Sequence, residues 1–342
     1  MSNYHSLRVR EVIEETADTK SFIFDIPEDL KADFRYKPGQ FLTLRIPHGG
    51  KRLPRCYSMS SAPELEEYPK VTVKRVADGR ASNWLCDNVK VGDTLEVMAP
   101  AGAFHIKSLD GDFILFGGGS GITPVYSIAK TILAKGSGKV VLIYANRDEN
   151  SVIFRDELKS LAAQHPRRLK IIHWLDSVQG IPSVAQLAEL SRAWAHARAY
   201  ICGPGPYMDA AVEALHEMEM PRANINVERF VSLPEEEGDG SAAQAAPAGG
   251  DESVIEVYID GEKHEVRCNS EEPMLTAMLR AELKAPHSCL VGSCASCMCK
   301  LERGEVDLRK NDALDKNDLA EGWTLACQAY PKSERVVVRF PD

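Results

Sequence analysis

Four cysteines in the C-terminal part of the sequence have a spacing that could bind iron. Cys289, Cys294 and Cys297 form the pattern C-x4-C-x2-C, and Cys327 follows later in "WTLACQAYP". This spacing is typical of the plant-type 2Fe-2S cluster. A structural zinc site usually takes two paired sets of ligands, whereas here three ligands share one loop. The sequence therefore predicts a 2Fe-2S cluster held by these four thiolates.

The surrounding residues support this prediction. Small residues between the ligands would let a loop wrap tightly and point N–H groups at the sulfurs: Gly292, Ser293, Ala295 and Ser296. Other cysteines fall outside the spacing and are predicted to be structural thiols: Cys56, Cys86, Cys268 and Cys299.

A second set of residues able to do chemistry lies in "RLPRCYSMSSAP". Arg55 can form a forked contact with a pyrophosphate, Tyr57 can stack on a planar ring, and Ser58 can hydrogen-bond a ring nitrogen. Taken alone, such a segment also fits an ordinary barrel strand. It resembles the R-x-Y-S flavin motif of the ferredoxin-NADP reductase family, which implies a flavin site here.

The segment "GRASNWL" follows at the spacing of that family and resembles its G-x-x-S-x-x-L segment. There a helix N-terminus receives the flavin pyrophosphate, with Gly79 allowing close approach and Ser82 capping the helix. Room for an adenylate favours FAD over FMN. The resemblance implies FAD contacts from these residues: Arg55, Cys56, Tyr57, Ser58, Thr72, Val73, Lys74, Gly79, Arg80, Ala81 and Ser82.

The segment "GGGSGITP" predicts a turn that binds a nicotinamide nucleotide. It lies between a strand and a helix, so its glycines let the backbone approach a pyrophosphate, while Thr123 caps the helix and Pro124 takes its first position. It lacks the last glycine of G-x-G-x-x-G, and a plain tight turn is the alternative. The segment "YICGPGPYM" resembles the C-G-P turn of the same family, in which Cys202 lies near nicotinamide and flavin.

The resemblance also implies roles in hydride transfer. Ser58, Cys202 and Glu228 take the catalytic positions, and Phe230 closes over the flavin. The nucleotide is expected to contact these residues: Gly118, Gly119, Ser120, Gly121, Thr123, Asn146, Arg147, Cys202, Gly203 and Pro204.

The residues after the strand "VVLIYA" bear on the choice between NADH and NADPH. Asp148 and Glu149 would repel the 2′-phosphate of NADPH and can accept a hydrogen bond from a ribose hydroxyl, whereas Arg147 has the opposite charge. The sequence predicts NADH as the preferred donor.

The elements that must position these motifs divide the chain into three domains. Residues 1–107 contain short alternating strands and predict an antiparallel β-barrel for FAD. Residues 108–233 alternate strands with helices and predict an α/β nucleotide-binding domain with a parallel sheet. Residues 234–252 predict a flexible linker. Residues 253–342 resemble a plant-type ferredoxin, which implies an α+β fold of the β-grasp type.

Composition excludes several classes of function. The 342 residues, 44% hydrophobic and 27% charged, are typical of a globular multidomain protein. The net charge of -9 and the lack of a Lys/Arg run argue against nucleic-acid binding. No apolar run is long enough to span a membrane, and "MSNYHSLRVR" lacks the apolar core of an export signal. We therefore predict a cytoplasmic monomer that binds neither membranes nor nucleic acid.

The order of the parts resembles the reductase components of multicomponent oxygenases over nearly the whole chain. Within this family the resemblance is greatest to the reductases of 3-ketosteroid 9α-hydroxylases, which use Rieske oxygenases, and the reductases of phenylacetyl-CoA epoxidases share the layout. It implies that electrons pass from NADH through FAD and the 2Fe-2S cluster to a separate terminal oxygenase. Two alternatives remain, an iron-sulfur redox sensor and a flavin reductase that acts alone.

An acidic stretch before the last cluster ligand is a candidate docking surface for that oxygenase, although a solvated face fits the sequence equally well. Its members are Asp307, Asp312, Asp315, Asp318 and Glu321. Leu290 lies where many plant-type ferredoxins carry Arg, so the charge around the cluster is expected to differ.

Overall fold

In the described part of the chain, three large sheets form the centres of three domains, each with its own hydrophobic core, and a further sheet of two strands lies in the C-terminal domain. The computed structural model describes residues 4–230, 252–292, 294–314 and 316–341. The predicted linker lies outside these ranges apart from Glu252, which begins a strand. Within the described ranges, no helix combines the length and the apolar character needed to cross a membrane.

The N-terminal barrel is a six-stranded antiparallel sheet. Its strands and helix are β1 Tyr4–Thr16, β2 Thr19–Asp25, β3 Phe41–His48, β4 Lys51–Ser58, β5 Lys70–Lys74, α1 Arg80–Asn88 and β6 Thr94–Met98. The strand order is β4-β3-β6-β1-β2-β5. Side chains alternate between the two faces of each strand, so that in β2 Phe22 and Phe24 are buried in the core while Ile23 between them is partly exposed. Met59 and Val71 form an antiparallel bridge that joins the two edges, so the sheet curls back on itself.

The middle domain is a five-stranded parallel sheet flanked by helices. Its elements are β7 Phe113–Gly118, α2 Ile122–Lys135, β8 Val140–Asn146, α3 Arg155–Gln164, β9 Leu169–Leu175, α4 Asp176–Gln179, α5 Val184–Ser191, β10 Arg198–Cys202, α6 Gly205–Glu217 and β11 Ile225–Glu228. The order β11-β10-β7-β8-β9 reverses direction at β7. Ligands bind at the carboxyl ends of strands at such a switch point. Both predicted nucleotide turns lie there, after β7 and after β10.

The C-terminal domain is a mixed α+β structure built on a five-stranded sheet. Its elements are β12 Glu252–Ile259, β13 Glu262–Asn269, α7 Met274–Arg280, β14 Met298–Arg303, β15 Val306–Leu308, α8 Lys316–Ala320, β16 Trp323–Leu325, β17 Ala329–Pro331 and β18 Arg335–Arg339. β12 pairs antiparallel with β13 and parallel with β18. The β12–β13 hairpin turns at Asp260 and Gly261, whose φ angles of 50° and 77° suit the Asp-Gly turn that the sequence indicates.

Helix α2 joins the middle domain to the barrel through polar contacts. Ser127 Oγ donates to the Ser61 carbonyl at 2.6 Å. Lys130 forms an ion pair with Glu66, whose carboxylate also accepts from the Ala62 N–H at 2.7 Å. Burial lowers the pKa of Lys130 to about 8 although Glu66 opposes the change. These contacts fix the barrel relative to the crevice of the middle domain.

The C-terminal end of α2 is capped by one arginine. Arg168 donates from Nη1 to the Leu133 carbonyl at 2.8 Å, from Nη2 to Ile132 at 3.0 Å and from Nε to Gly138 at 3.0 Å. The last carbonyls of a helix have no partner within the helix, so a cation there satisfies them and opposes the negative end of the dipole.

Replacing Arg168 by Met is expected to lower the free energy of unfolding by about 2 kcal/mol, because three charge-assisted hydrogen bonds are lost. Chemical unfolding followed by circular dichroism measures this change. The neighbouring Arg167 is exposed, and Arg167→Met serves as the matched control with little expected effect. Equal losses in both variants would contradict the capping role.

Candidate functional site

The first three predicted cluster ligands lie on the cysteine loop, residues 286–297, which precedes β14. Its backbone is left-handed at Leu290, Gly292 and Ala295, with φ angles of 60°, 76° and 53°. A Cβ atom at Gly292 would lie 2.6 Å from the Lys310 carbonyl oxygen, so glycine is required at this close approach. These turns wrap the loop tightly, as the small residues predicted.

The four predicted ligand thiols converge. Cys327 lies within hydrogen-bonding reach of Cys289 and Cys297, and Cys294 lies within reach of Cys289. These contacts, together with burial, raise the pKa of Cys327 and Cys294, whereas the contact with Cys327 lowers the pKa of Cys297. All nine cysteines lie in the described residues, and none of them forms a disulfide. Ser293, predicted as a small loop residue, lies outside the described residues.

Four thiols are the donor set that a 2Fe-2S cluster requires. Each iron of a 2Fe-2S cluster is held by two thiolates from the protein. The Val291 N–H points at Cys289 Sγ from 3.4 Å, as a donor to a cluster sulfur should. Cys86, Cys268 and Cys299 are buried in hydrophobic cores, as predicted for structural thiols.

Strand β4 carries the R-x-Y-S residues and ends at the buried Ser58. Desolvation of Arg55, and the nearby charge of Arg80 to a smaller extent, lower the pKa of the Arg55 guanidinium. Desolvation also raises the pKa of Tyr57. Two guanidinium groups beside the N-terminus of α1 form a site suited to a pyrophosphate.

The turn before α1 supports this site. A Cβ atom at Gly79 would lie 2.9 Å from the Val76 carbonyl oxygen and 2.5 Å from Ser82 Oγ, so a side chain there would crowd the turn. Arg80, Ala81 and Ser82 form the first turn of α1, and Gly79 itself takes the N-cap position that the sequence assigned to Ser82. Ser82 Oγ accepts from the Val76 N–H at 3.2 Å and so closes the turn instead. The backbone N–H groups of this turn are therefore positioned to meet an anion.

Three residues of β5 are predicted to contact FAD, and their surroundings differ. The Thr72 hydroxyl shares a hydrogen bond of 2.8 Å with the Ser60 hydroxyl. Val73 is fully buried in the barrel core, so only its backbone can contact a cofactor. Lys74 lies 3.8 Å from the Asp18 carboxylate.

The two predicted nucleotide turns pack directly against each other. A Cβ atom at Gly121 would lie 2.2 Å from the Cys202 carbonyl oxygen, and one at Gly118 would lie 2.6 Å from Pro204. These glycines are therefore needed for contact between the turns. Gly119 is left-handed, with a φ angle of 51°, and the space beside it is open. Gly119 is the glycine placed to let a nucleotide approach the backbone.

The start of α2 differs from the prediction. The helix begins at Ile122 with Gly121 in the cap position, so Pro124 is its third residue. Thr123 does not cap the helix, because its hydroxyl donates to the Ser120 carbonyl at 3.0 Å. Proline is tolerated in the first turn because N–H groups there need no partner within the helix.

The predicted catalytic residues of the middle domain lie at the ends of two paired strands. Cys202 is fully buried and pairs in register with Glu228. Desolvation raises the pKa of Glu228 to about 8, so its carboxyl is largely protonated at neutral pH. When it is ionised, the Glu228 carboxylate raises the pKa of Cys56 on the flavin strand, two residues before Ser58. Phe230 is 46% exposed.

The residues expected to bind the nucleotide and to set the preference for NADH over NADPH lie at and after the end of β8. Asn146 is buried, and neither of its amide atoms has a hydrogen-bond partner in the described part of the chain, which fits a bound polar ligand. Arg147 donates from Nη2 to Asp18 Oδ2 at 3.5 Å and to Ser151 Oγ at 3.4 Å. Asp148 Oδ1 accepts from the N–H and the hydroxyl of Ser151, both at 2.9 Å.

Sequence reasoning missed one contact between the barrel and the cysteine loop. The hydroxyls of Thr43 and Ser288 share a hydrogen bond of 2.7 Å, and both residues are buried. Thr43 is also the cross-strand partner of Cys56. Single hydroxyl residues in separate domains form no motif, so the sequence contains no signal for this contact.

Three segments of the chain match known domain families. Residues 6–106 match the oxidoreductase FAD-binding domain, and residues 115–213 match the oxidoreductase NAD-binding domain. Residues 257–332 match the 2Fe-2S iron-sulfur cluster binding domain. The predicted cofactor types, FAD, NAD and 2Fe-2S, are confirmed in the predicted order.

The chain is similar over nearly its whole length to reductase components of oxygenases. It is 48% identical to the ferredoxin reductase component of 3-ketosteroid-9-alpha-monooxygenase from Rhodococcus rhodochrous, over 98% of this chain and 96% of that protein. It is 35% identical to one of the subunits of 1,2-phenylacetyl-CoA epoxidase from Escherichia coli, over 99% and 98%. Its fold matches the structure of phthalate dioxygenase reductase with a TM-score of 0.59, at 24% identity and 98% coverage of both chains.

These similarities confirm the resemblance that the motifs indicated. The domain matches follow one another in the order of the three sheets. The chain belongs to the family of oxygenase reductases that join FAD-binding and NAD-binding domains of the ferredoxin-NADP reductase type to a C-terminal 2Fe-2S ferredoxin domain.

Proposed function

We propose that this chain oxidises NADH and delivers the electrons one at a time, through FAD and a 2Fe-2S cluster, to a separate terminal oxygenase. The observation that carries the proposal is the meeting of three sites at Cys56. This residue lies on the flavin strand, and its cross-strand partner Thr43 shares a hydrogen bond of 2.7 Å with Ser288, which directly precedes Cys289 in the cysteine loop. The Glu228 carboxyl of the middle domain is near enough to raise the pKa of Cys56 when it is ionised. The places where hydride arrives and electrons leave are therefore close together.

The residues around the flavin strand suit FAD. Arg55, Arg80 and the N-terminus of α1 would hold the pyrophosphate, and Ser58 would hydrogen-bond the flavin ring. Bound FAD supplies the conversion of a two-electron donor into a one-electron donor. Glu228, protonated at neutral pH, holds a proton at its carboxyl beside Cys202. The buried Cys202 keeps water from this side of the site.

The two alternatives receive less support. The domain matches extend from residue 6 to residue 332, and all three are electron-transfer or cofactor-binding domains, which gives no support to a redox sensor with an effector domain. A flavin reductase that acts alone would not need the four converging thiols. The cytoplasmic location and the monomeric state stay predictions.

For the partner we propose a Rieske-type oxygenase that acts on a 3-ketosteroid. Support comes from the 48% identity to a reductase component of 3-ketosteroid-9-alpha-monooxygenase. The alternative is a di-iron oxygenase of the phenylacetyl-CoA epoxidase kind, supported by the 35% identity to a component of that enzyme. Reconstitution with each oxygenase distinguishes them. NADH-dependent steroid hydroxylation supports the proposal, and turnover with the epoxidase alone overturns it.

The predicted acidic docking surface is partly neutralised within the chain. Asp312 pairs with Lys310 at 3.5 Å, and Asp318 pairs with Arg222 of the middle domain at 3.3 Å. Asp315 lies outside the described residues. Docking through this surface stays a prediction, and we expect salt to slow oxygenase reduction less than the sequence alone indicates.

We expect the catalytic efficiency, kcat/KM, to be higher for NADH than for NADPH. The Asp148 carboxylate is held in place by Ser151 and would repel a 2′-phosphate. Asp148→Asn keeps the acceptor oxygen and removes the charge. The ratio of kcat/KM for NADH to kcat/KM for NADPH should therefore fall by about tenfold, which corresponds to about 1.4 kcal/mol. Steady-state kinetics with both nucleotides measure it, with the exposed Asp156→Asn as control. Equal or greater efficiency with NADPH in the unaltered chain would show the preference to be wrong.

Replacing Cys297 by Ser is expected to remove or damage the cluster while leaving flavin reduction intact, because the flavin and nucleotide residues lie in other domains. NADH should still bleach the flavin, and an acceptor that takes electrons directly from flavin should still be reduced. Oxygenase-coupled hydroxylation should collapse.

Absorbance and iron analysis check the state of the cluster in this variant. Cys299→Ala serves as the matched control, because Cys299 is a buried core thiol on the adjoining strand and should not be a ligand. Full oxygenase turnover without a cluster would mean that flavin feeds the oxygenase directly.

A further inference from the structure

We propose that Thr43, Cys56 and Ser288 form a seating contact, which holds the C-terminal domain against the flavin strand for electron transfer. Thr43 and Ser288 would then be positioning residues for the step from flavin to cluster. This inference rests on the proposed function and adds to it the residues that join the two domains.

The seating contact is short and buried. The hydroxyls of Thr43 and Ser288 lie 2.7 Å apart, and the two residues are only 1% and 7% exposed. Thr43 Oγ1 also lies 3.5 Å from Cys56 Sγ across the β3–β4 ladder. A buried hydroxyl that loses its partner keeps the full cost of desolvation. Separating the two domains would break the hydrogen bond between these hydroxyls. The contact therefore stabilises the arrangement in which the C-terminal domain packs against the flavin strand.

The position of this contact in the chain links two predicted sites. On the barrel side, Cys56 lies between Arg55 and Tyr57 of the flavin motif. On the other side, Ser288 directly precedes the predicted ligand Cys289. The contact therefore directly adjoins a residue of each site, and any loosening of the contact lengthens the path between the sites.

The seating contact is formed by neutral groups, unlike an ion pair that joins this domain to the middle domain. Arg222 and Asp318 form an ion pair 3.3 Å apart, and their side chains are 40% and 32% exposed. Salt screens such an exposed pair, whereas it has little effect on a buried hydrogen bond between hydroxyls. Seating through Thr43 and Ser288 therefore predicts that internal electron transfer is insensitive to salt.

The step concerned is a one-electron transfer. NADH would give up a hydride and become NAD⁺, and bound FAD would pass on the two electrons one at a time, with one proton released per NADH. The cluster would accept one electron, which reduces one ferric iron to ferrous iron, and would pass it to the oxygenase before it accepts the second. No other reductant is needed, because NADH supplies both electrons.

The test uses the full chain loaded with FAD and cluster, in stopped-flow absorbance after mixing with NADH. The variants are Thr43→Val, Ser288→Ala and the pair combined, with Thr43→Ser as the conservative replacement. Thr131→Val is the matched control, because Thr131 is a buried threonine whose hydroxyl donates at 3.0 Å to the Ser127 carbonyl within α2. Hydrogen exchange of the amides in residues 286–292 reports seating independently of turnover.

Flavin reduction by NADH should keep its rate in every variant. Cluster reduction should slow about five- to tenfold in each single variant, the loss expected for one buried hydrogen bond. The double variant should be no slower than the single ones, because both changes remove the same interaction. Amides in residues 286–292 should exchange faster in Thr43→Val, and Thr43→Ser and Thr131→Val should behave as the unaltered chain.

Other results would overturn the seating contact. These are unchanged cluster reduction and exchange in Thr43→Val and Ser288→Ala, multiplying effects in the double variant, or slowing by high salt or by Arg222→Ala. Failure of the proposed function is distinguishable, because the unaltered chain would then show no NADH-dependent flavin reduction or no cluster reduction after it.

Discussion

Electron transfer weakens steeply with distance, and this constraint requires three sites from three domains to meet at one place. Cys56 marks the place. It lies on the flavin strand, and Thr43 links it to Ser288 of the cysteine loop. Glu228, at the end of β11, is near enough to influence the pKa of Cys56. Each domain has its own core, so this meeting depends on contacts between domains and not on a shared interior.

In the middle domain, close backbone packing keeps the two predicted nucleotide turns near each other. Gly118 and Gly121 bring the turn after β7 against the turn after β10, and a side chain at either position would overlap its neighbour. The crevice at the switch point is therefore narrow and well defined. Gly119 has open space beside it and is the glycine of this turn that we expect to contact the nucleotide.

Desolvation sets the protonation state of the groups at the junction. The pKa of Glu228 is raised to about 8 and that of Cys56 to about 12, in both cases chiefly because water is excluded. Both groups are therefore mostly uncharged at neutral pH. The ion pair between the C-terminal and middle domains, Arg222 with Asp318, is partly exposed. A neutral centre with charges at its edge suits domains that must pack closely without burying unpaired charge.

The sequence by itself determined the cofactors and the order of the domains. The cysteine spacing, the R-x-Y-S segment and the glycine turn are local patterns, and local patterns are set by neighbours along the chain, so they indicated the sites without a structure. The strand and helix periodicities likewise predicted an antiparallel sheet followed by a parallel one, because burial on one face imposes the repeat.

Only the tertiary structure decided how the sites are joined. The hydrogen bond between Thr43 and Ser288 links residues 245 positions apart, and no local pattern marks such a pair. The acidic stretch is a candidate docking surface by sequence, and a solvated face fits equally well, yet Asp318 contacts Arg222, because a charge pairs with the group that the fold places beside it. The sequence predicted Ser82 as the N-cap of α1, whereas the structure has Gly79 in that position. The Ser82 hydroxyl instead accepts a hydrogen bond from the Val76 N–H in the turn before the helix.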